Sequence, residues 1–140
     1  MSNCFPAGID IGSTTVKLVI LDANGQICFG QYRRHRAHTQ ETLAELLREA
    51  RAQLGPCELR VGITGSGSMN LGKALGIGFV QEVVAVAASL ERVAPQTDVA
   101  IELGGEDAKI IYFSGGIDQR MNGICAGGTG SFIDQMASLL

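Results

Sequence analysis

The apolar positions of this chain form short runs typical of strands, followed by longer periodic runs typical of helices. Three consecutive segments, 5–12, 15–21 and 26–32, have the apolar content of strands, and Asp22-Ala23-Asn24-Gly25 predicts the turn between the last two. The second segment is apolar almost throughout, which predicts a strand buried on both faces. The chain is therefore expected to begin with a three-strand meander.

Helical periodicity begins after this meander. Apolar residues between Thr39, a candidate N-cap, and the helix-ending pair Gly55-Pro56 fall on one face of a helix. The elements expected next are a strand at 59–64, a loop at 65–67, a short helix near 68–75, a brief strand at 79–80 and a helix from Glu82 to about Pro95. Residues 1–97 thus form the first expected domain, an α/β lobe of the order β-β-β-α-β-α-β-α.

The pattern restarts at Val99. Two strands, a Ser114-Gly115-Gly116 turn, a third strand and an apolar helical face toward the end of the chain are expected. The sequence stops at Leu140, in the middle of that face and without a C-capping signal. Residues 98–140 are therefore expected to be the start of a second, truncated lobe.

One short pattern occurs in both lobes. Its carboxylate, glycine and lysine stand at residues 10, 12 and 17 and recur 92 positions later as Glu102, Gly104 and Lys109. A repeat at a constant offset predicts two copies of one supersecondary unit, in which a strand ends in a carboxylate and a tight turn leads into a second strand. The alternative is two ordinary hairpins with glycine-rich turns. The constant offset of the three residues between the two copies favours a functional repeat.

The residues of each copy suit phosphate chemistry. Asp10 can hold a hydrated Mg²⁺, a hard cation that prefers oxygen ligands. Gly12 allows backbone to approach a phosphate, and Ser13, Thr14 and Thr15 add hydroxyl and amide donors. Two such turns facing each other could hold a polyphosphate. The lysines alternate with apolar neighbours, so each either touches phosphate or extends to the surface.

Charge and hydropathy exclude several classes of protein. A net charge of −3 argues against a nucleic-acid or anionic-membrane surface, and the basic run Arg33-Arg34-His35-Arg36 is interpreted as the solvated end of a strand. No apolar segment reaches membrane-spanning length, and no Lys or Arg precedes Lys17. A cytoplasmic protein without a membrane or nucleic-acid partner is expected.

Cysteine usage singles out one thiol. Cys4, Cys28, Cys57 and Cys125 are widely spaced without a CxxC pair, which argues against a zinc site. Cys125 lies in a glycine-rich stretch that leads into the last predicted helix, where backbone N–H groups favour a thiolate. Such a thiolate can bind a soft metal or an iron–sulfur cluster, or act as a nucleophile. A loop cysteine without a role is the alternative.

Four motifs, in order along essentially the whole chain, carry a family resemblance. They are Asp10-Ile11-Gly12-Ser13-Thr14, Gly65-Ser66-Gly67, Glu102-Leu103-Gly104-Gly105-Glu106-Asp107-Ala108-Lys109 and Cys125-Ala126-Gly127-Gly128-Thr129-Gly130. The carboxylate turns resemble the phosphate-1 and phosphate-2 motifs of the acetate and sugar kinase, heat-shock chaperone and actin superfamily. The set resembles the 2-hydroxyacyl-CoA dehydratase activators and benzoyl-CoA reductase ATPase subunits. The run at 101–107 looks most like the first segment of the long CoA-substrate-specific enzyme activases.

This resemblance implies a ribonuclease H-like, actin-like ATPase lobe and a homodimer that shares one 4Fe-4S cluster, held by two cysteines of each subunit. ATP hydrolysis would drive a low-potential electron, donated by reduced ferredoxin or flavodoxin, into an acyl-CoA dehydratase or reductase. Cys125 matches the first cluster ligand, and the second is expected beyond Leu140. The adenine-binding motif is also absent, so this fragment alone is expected to bind ATP or ADP weakly and to be inactive.

The resemblance also implies residue roles. Asp10, through a water, and Glu102, directly, would position Mg²⁺ and orient the attacking water. Glu82 resembles the acidic residue near that water, although a helix-start carboxylate is the other interpretation. The expected phosphate-binding residues are Gly12, Ser13, Thr14, Thr15 and Lys17 of the first turn and Gly104, Gly105, Asp107 and Lys109 of the second.

Two other functions use the same architecture. A small-molecule kinase would phosphorylate a sugar or carboxylic acid, and a non-catalytic module would only sense nucleotide within a larger protein. The segment from Cys125 to Gly130 favours the activator. A kinase would also require a catalytic aspartate in the first lobe, which the sequence does not identify.

Overall fold

A computed structural model describes residues 4–122 and 128–139, which fall into two compact units. Unit 1 ends at Val80 and unit 2 begins at Gln81. The elements of unit 1 are β1 (Cys4–Ile11), β2 (Thr15–Leu21), β3 (Ile27–Arg34), α1 (Thr39–Leu54), β4 (Glu58–Thr64), α2 (Met69–Leu75) and β5 (Gly78–Phe79). Those of unit 2 are α3 (Glu82–Val93), β6 (Val99–Leu103), β7 (Ala108–Tyr112), β8 (Asp118–Met121) and α4 (Gly130–Ala137). The predicted α/β element order is confirmed.

Unit 1 contains a mixed sheet of five strands in the order β3-β2-β1-β4-β5. Strands β1, β2 and β3 pair antiparallel because short turns join them, whereas β4 returns after α1 and pairs parallel to β1. Both β1 and β4 end at the same edge, so Asp10 and Thr64 are register partners. This edge positions the first candidate turn.

The core of unit 1 lies between its sheet and α1. It is formed by apolar side chains of β1 to β4 and by Leu43, Leu46 and Ala50 of α1. Strand β2 is fully buried on only one face, because Val16, Leu18 and Ile20 are covered while Lys17, Val19 and Leu21 are partly exposed. The expectation of burial on both faces was therefore wrong for the second face.

Unit 2 contains an antiparallel meander in the order β6-β7-β8. Ile111 is the buried apolar side chain among the described residues of this unit. Val99, Ile101 and Leu103 alternate along β6 and are all exposed. The small sheet is thus far less enclosed by apolar packing than the sheet of unit 1.

Two local expectations are corrected at the end of β3. The N-cap of α1 is His38, not Thr39, which begins the helix. Strand β3 also extends to Arg34, so the basic run is not simply a solvated end. Arg33 makes a bidentate pair with Glu49 of α1 at 2.9 and 3.0 Å, and His35 is buried.

No helix within residues 4–122 and 128–139 combines the length and apolarity needed to cross a membrane.

Candidate functional site

The first carboxylate turn is built around a cross-strand ion pair. Asp10 of β1 lies opposite Lys17 of β2, and Lys17 Nζ donates to Asp10 Oδ2 at 2.6 Å. The same ammonium lies 5.9 Å from the centre of the Tyr32 ring, within the range of a cation–π contact. Lys17 therefore neutralises Asp10 instead of extending freely into solvent, although its side chain is still 43% exposed.

The turn between β1 and β2 is tight. The Gly12 N–H donates to the Thr15 carbonyl at 2.9 Å, which places Ser13 and Thr14 at the tip. Ser13 is exposed and Thr15 is buried. The tip is therefore the part of the hairpin that a ligand can reach.

A buried histidine supports this turn from the side. The Nε2 atom of His35 lies 3.2 Å from the Gly12 carbonyl, and the His35 main-chain N–H donates to the Thr14 carbonyl at 3.1 Å. The Ala37 N–H donates to His35 Nδ1 at 3.1 Å. The sequence pattern does not single out His35, because the basic run around it predicts the solvated end of a strand. The pairing of Thr15 with Arg34 places His35, the residue after β3, beside Thr14, and this register depends on a bulge in the strand pairing that the sequence pattern does not indicate.

The predicted loop at 65–67 packs against the end of β1. Gly65 has φ of 97°, and a Cβ there would lie 2.2 Å from the Ile11 carbonyl oxygen and 2.5 Å from Asp10 Oδ1. The Gly67 N–H donates to that same carbonyl at 2.8 Å. Ser68 is fully buried and donates to the Gly65 carbonyl at 2.7 Å. The loop therefore encloses one side of the Asp10 carboxylate, and only glycine fits at position 65.

The second carboxylate turn repeats the cross-strand pair with more partners. Glu102 of β6 lies opposite Lys109 of β7. Lys109 Nζ is 3.6 Å from Glu102 Oε1 and 3.5 Å from Asp107 Oδ2, and it also donates to Glu82 Oε2. Its side chain is only 13% exposed. We call Glu82, Glu102, Asp107 and Lys109 the Lys109 cluster, and all four are predicted site residues.

The pKa values of two members of the Lys109 cluster, Glu102 and Lys109, are shifted. Burial raises the pKa of Glu102 above its usual range, the charges of Glu82 and Asp107 raise it further, and Lys109 opposes them. Burial alone would lower the pKa of Lys109, but the hydrogen bond to Glu82 and the surrounding carboxylates outweigh burial and raise it. The ammonium therefore stays charged, and Glu102 binds a proton more readily than an exposed glutamate.

The turn after Glu102 is held from two sides. A Cβ on Gly104 would lie 2.2 Å from Asp107 Oδ1, so the Asp107 carboxylate packs directly on this glycine. The Gly130 N–H, at the start of α4, donates to the Gly104 carbonyl at 2.8 Å. Gly105 follows in the same turn and is partly exposed.

Oxygen atoms suited to a hard cation are present at both turns. Within the described part of the chain, Thr64 Oγ1 and Glu102 Oε2 are buried side-chain atoms without a hydrogen-bond partner. Thr64 ends β4 and is the register partner of Asp10, so one of these oxygens lies on the strand beside the first turn and the other belongs to the carboxylate of the second turn. No three His, Cys, Asp or Glu side chains of the described residues are arranged to hold a metal ion. The donor set fits Mg²⁺ that keeps several waters, not a metal enclosed by protein.

Cys125 lies outside the described residues, as does most of the glycine-rich segment that contains it. The other three thiols are free: Cys4 is exposed, and Cys28 and Cys57 are partly buried. Cys28 Sγ donates to the Ile20 carbonyl at 3.3 Å, in keeping with a packing role.

Comparison with known proteins extends these observations. The model of the BadF/BadG/BcrA/BcrD ATPase family matches residues 7–140. A 2-hydroxyisocaproyl-CoA dehydratase activator from Clostridioides difficile is 31% identical over 145 residues, which cover 97% of this chain and 52% of that protein. An (R)-2-hydroxyglutaryl-CoA dehydratase activating ATPase from Acidaminococcus fermentans is 28% identical over 141 residues, or 97% and 54% of the two chains.

Solved structures agree in fold. The activator of the 2-hydroxyisocaproyl-CoA dehydratase from Clostridium difficile, with bound ADPNP, superposes with a TM-score of 0.80 at 29% identity, covering 96% of this chain and 52% of that one. The ethanolamine utilization protein EutJ from Carboxydothermus hydrogenoformans, at 16% identity and a TM-score of 0.66, covers 96% and 57% and shares the fold alone. The predicted actin-like ATPase lobe is confirmed. The chain spans about half the length of the curated relatives it matches.

Proposed function

The chain belongs to the BadF/BadG/BcrA/BcrD ATPase family, and from this premise we propose that the whole protein is an ATP-hydrolysing activator. It would couple hydrolysis to the transfer of a low-potential electron from a 4Fe-4S cluster to an enzyme of the 2-hydroxyacyl-CoA dehydratase or benzoyl-CoA reductase type. Two relatives are dehydratase activators by name, and one of them was solved with ADPNP. The observation that carries the proposal is the repeated carboxylate–lysine hairpin, with an unpartnered buried oxygen on Glu102 of the second copy and another on Thr64, the register partner of Asp10 in the first.

The first turn would bind phosphate and help to hold Mg²⁺. Asp10 would hold the ion through water, and Gly12, Ser13, Thr14 and Thr15 would supply backbone and hydroxyl donors. The Lys17 ammonium would shift from Asp10 toward phosphate oxygens when the ion neutralises the carboxylate. This assignment is supported by the exposed tip of the turn and by the half-exposed lysine beside it.

The second turn would bind phosphate at Gly104 and Gly105 and bring the carboxylate of Glu102 to Mg²⁺. Bound Mg²⁺ supplies electrostatic stabilisation to the phosphoryl oxygens. Glu82 and Asp107 share Lys109 with Glu102, so the three carboxylates are held in fixed positions around one charge. Glu82 or Glu102 would then orient the attacking water by accepting its hydrogen bond.

The cluster, the dimer and the partners follow from the same proposal. Cys125 would be one of two thiolate ligands that each subunit contributes to a cluster on a two-fold axis. The electron would come from reduced ferredoxin or flavodoxin and pass to the acyl-CoA enzyme in the cytoplasm. A thiolate is the ligand that iron–sulfur clusters take from proteins, so the residue type fits the group.

Steady-state hydrolysis by the full-length protein tests the ATPase. Asp10→Asn and Glu102→Gln should each lower the rate of ATP hydrolysis about 100-fold or more, because each removes a negative charge that attracts the Mg²⁺ ion. Asp22→Asn is the matched control, since the Asp22 side chain accepts backbone hydrogen bonds from Asn24 and Gln26 within the turn between β2 and β3. Wild-type rates in both site variants would contradict the proposal, and ATP-dependent phosphorylation of an added sugar or acid would identify a kinase.

Anaerobic purification of the full-length protein tests the cluster. The protein should be brown, and Cys125→Ser should abolish both the visible absorption and the bound iron. Cys57→Ser changes a partly buried thiol in unit 1 and should leave both unchanged. A colourless wild-type protein that still hydrolyses ATP would contradict the electron-transfer role and favour the nucleotide sensor.

A further inference from the structure

We propose that His35 is a positioning residue for nucleotide binding, and this inference rests on the phosphate-binding role proposed for the first turn. The imidazole and main chain of His35 hold the two carbonyl groups at the tip of that turn, Gly12 and Thr14. The ring itself does not touch phosphate in this proposal. It orients the peptide groups that do.

The two contacts of the ring assign its tautomer. A carbonyl oxygen only accepts and an amide only donates, so Nε2 carries the proton toward Gly12 while Nδ1 accepts from Ala37. The ring is therefore neutral when both bonds form. With the main-chain bond from His35 to Thr14, two hydrogen bonds join His35 to the turn, and the bond from Ala37 fixes the orientation of the ring.

These bonds matter because peptide groups are planar and trans. The C=O of one residue points opposite to the N–H of the next, and the described residues contain no cis peptide. Holding the Gly12 carbonyl toward His35 thus directs the Ser13 N–H away from it, and holding the Thr14 carbonyl does the same for Thr15. A turn that binds an anion must present amides, because a carbonyl oxygen facing phosphate is repelled.

The chain maintains this contact through a strained connection. Arg36 and Ala37 have φ of 46° and 68°, which non-glycine residues rarely adopt and which costs about 1 kcal/mol or more for each. The strain brings the Ala37 N–H back to His35 Nδ1, and His38 then caps α1 directly afterwards. Strain that is retained beside a buried histidine indicates that the contact between His35 and the turn is under structural constraint.

Two substitutions separate the contacts of the ring. Gln can place a donor near the position of Nε2, so His35→Gln keeps the bond to Gly12. Asn can place an acceptor near Nδ1 but does not reach Gly12. In the full-length protein, His35→Asn should raise the KM for MgATP about five-fold with kcat within two-fold, as expected for one lost hydrogen bond that orders the site. His35→Gln should restore KM to within two-fold of wild type.

His38→Asn is the matched control, since His38 is exposed and lies three residues further along the same segment. It should leave KM unchanged. A wild-type KM in His35→Asn would overturn the inference, and so would a KM in His35→Gln as high as that of His35→Asn.

A second measurement needs no nucleotide. Ring ¹⁵N chemical shifts of His35 in the full-length protein should report a neutral ring with the proton on Nε2, and a proton on Nδ1 would overturn the inference. In His35→Asn the amide signals of Ser13 and Thr15 should move more than in His35→Gln. If the wild-type protein hydrolyses no ATP but these spectra are as expected, the proposed function fails while the support of the turn by His35 stands.

Discussion

The two carboxylate–lysine hairpins have the same register but different surroundings. Among the described residues, Lys17 of unit 1 pairs with one carboxylate, that of Asp10, and remains 43% exposed, whereas Lys109 of unit 2 is 13% exposed and is shared by three carboxylates. Strand pairing places the lysine opposite the carboxylate in both copies. The neighbouring elements then decide whether the lysine can leave its partner or is held in place.

The two units also differ in the extent of their apolar cores. Unit 1 has an apolar core shared by β1 to β4 and α1, while Ile111 is the buried apolar residue of unit 2 among those described. We therefore expect unit 1 to depend on close packing around Asp10 and unit 2 to depend on the Lys109 cluster. The chain has one tyrosine in each unit, Tyr32 and Tyr112, and no tryptophan, so Tyr→Phe variants allow each unit to be followed by fluorescence.

The largest effect is expected at Gly65. Gly65→Ala should destabilise unit 1 by about 3 kcal/mol, because the new Cβ meets the Ile11 carbonyl and φ is positive. Gly104→Ala in unit 2 should cost only about 1 kcal/mol, since its shortest clash is with the movable Asp107 side chain. Chemical unfolding in Tyr112→Phe and Tyr32→Phe backgrounds measures the two costs. Equal costs would mean that both turns are packed alike.

Replacing each lysine compares how much the two ion pairs contribute to the stability of their units. Lys109→Met should cost about 2 kcal/mol of the stability of unit 2, because three partly buried carboxylates lose their cation. Lys17→Met should cost less than about 1 kcal/mol, as expected for a half-exposed pair. Unfolding of each unit in urea gives both values, and a larger loss for Lys17→Met would reverse the comparison.

The pH dependence of unit 2 should depend on Glu102. Because burial and like charges raise the pKa of Glu102 above its ordinary value of 4.5, the folded state holds the proton more tightly than the unfolded state. The contribution of Glu102 to stability is therefore greatest below pH 4.5 and is lost as the pH rises through the raised pKa. The free energy of unfolding of wild type relative to Glu102→Gln should fall across that window. A constant difference would contradict the assigned cause.

The smallest effect on the fold is expected at Gly12. A Cβ there would lie 3.8 Å from Thr15 Oγ1, an ordinary contact, so Gly12→Ala should change stability by about 0.5 kcal/mol or less. If the turn binds phosphate, the same variant should weaken MgATP binding by the full-length protein, because the methyl group occupies the approach to the backbone. Calorimetry separates the two effects, and unchanged MgATP affinity would argue against phosphate binding at this turn.

The sequence was sufficient for the order of elements and for the cross-strand pairs. Alternating apolar residues and glycine turns located the strands to within two residues in unit 1, and the constant offset correctly grouped the motif residues of each copy. Thr39 was chosen as N-cap on residue type, but the tight turn after β3 makes His38 the cap. Such turn geometry is not encoded in hydrophobic periodicity.

The side-chain surroundings could not be predicted in the same way. A bulge between Ile20 and Leu21 shifts the pairing of β2 with β3, so counting from the turn at 22–25 does not place His35 beside Thr14. The sequence predicts Lys109 as either a phosphate ligand or a surface residue, because its pairing with Glu82 depends on how α3 packs within unit 2. Contacts between elements distant in sequence were the missing information.

The parallel pairing of β1 with β4 has a consequence for the order of folding. Hairpin contacts among β1, β2 and β3 are local, whereas β4 reaches β1 only after α1 has been traversed. Local contacts form with a smaller loss of chain entropy than distant ones. We therefore expect the Asp10–Lys17 pair to form early in biosynthesis and the loop at 65–67 to pack against Asp10 late. The surroundings of the Asp10 carboxylate would then be complete in a nascent chain only when β4 has paired with β1.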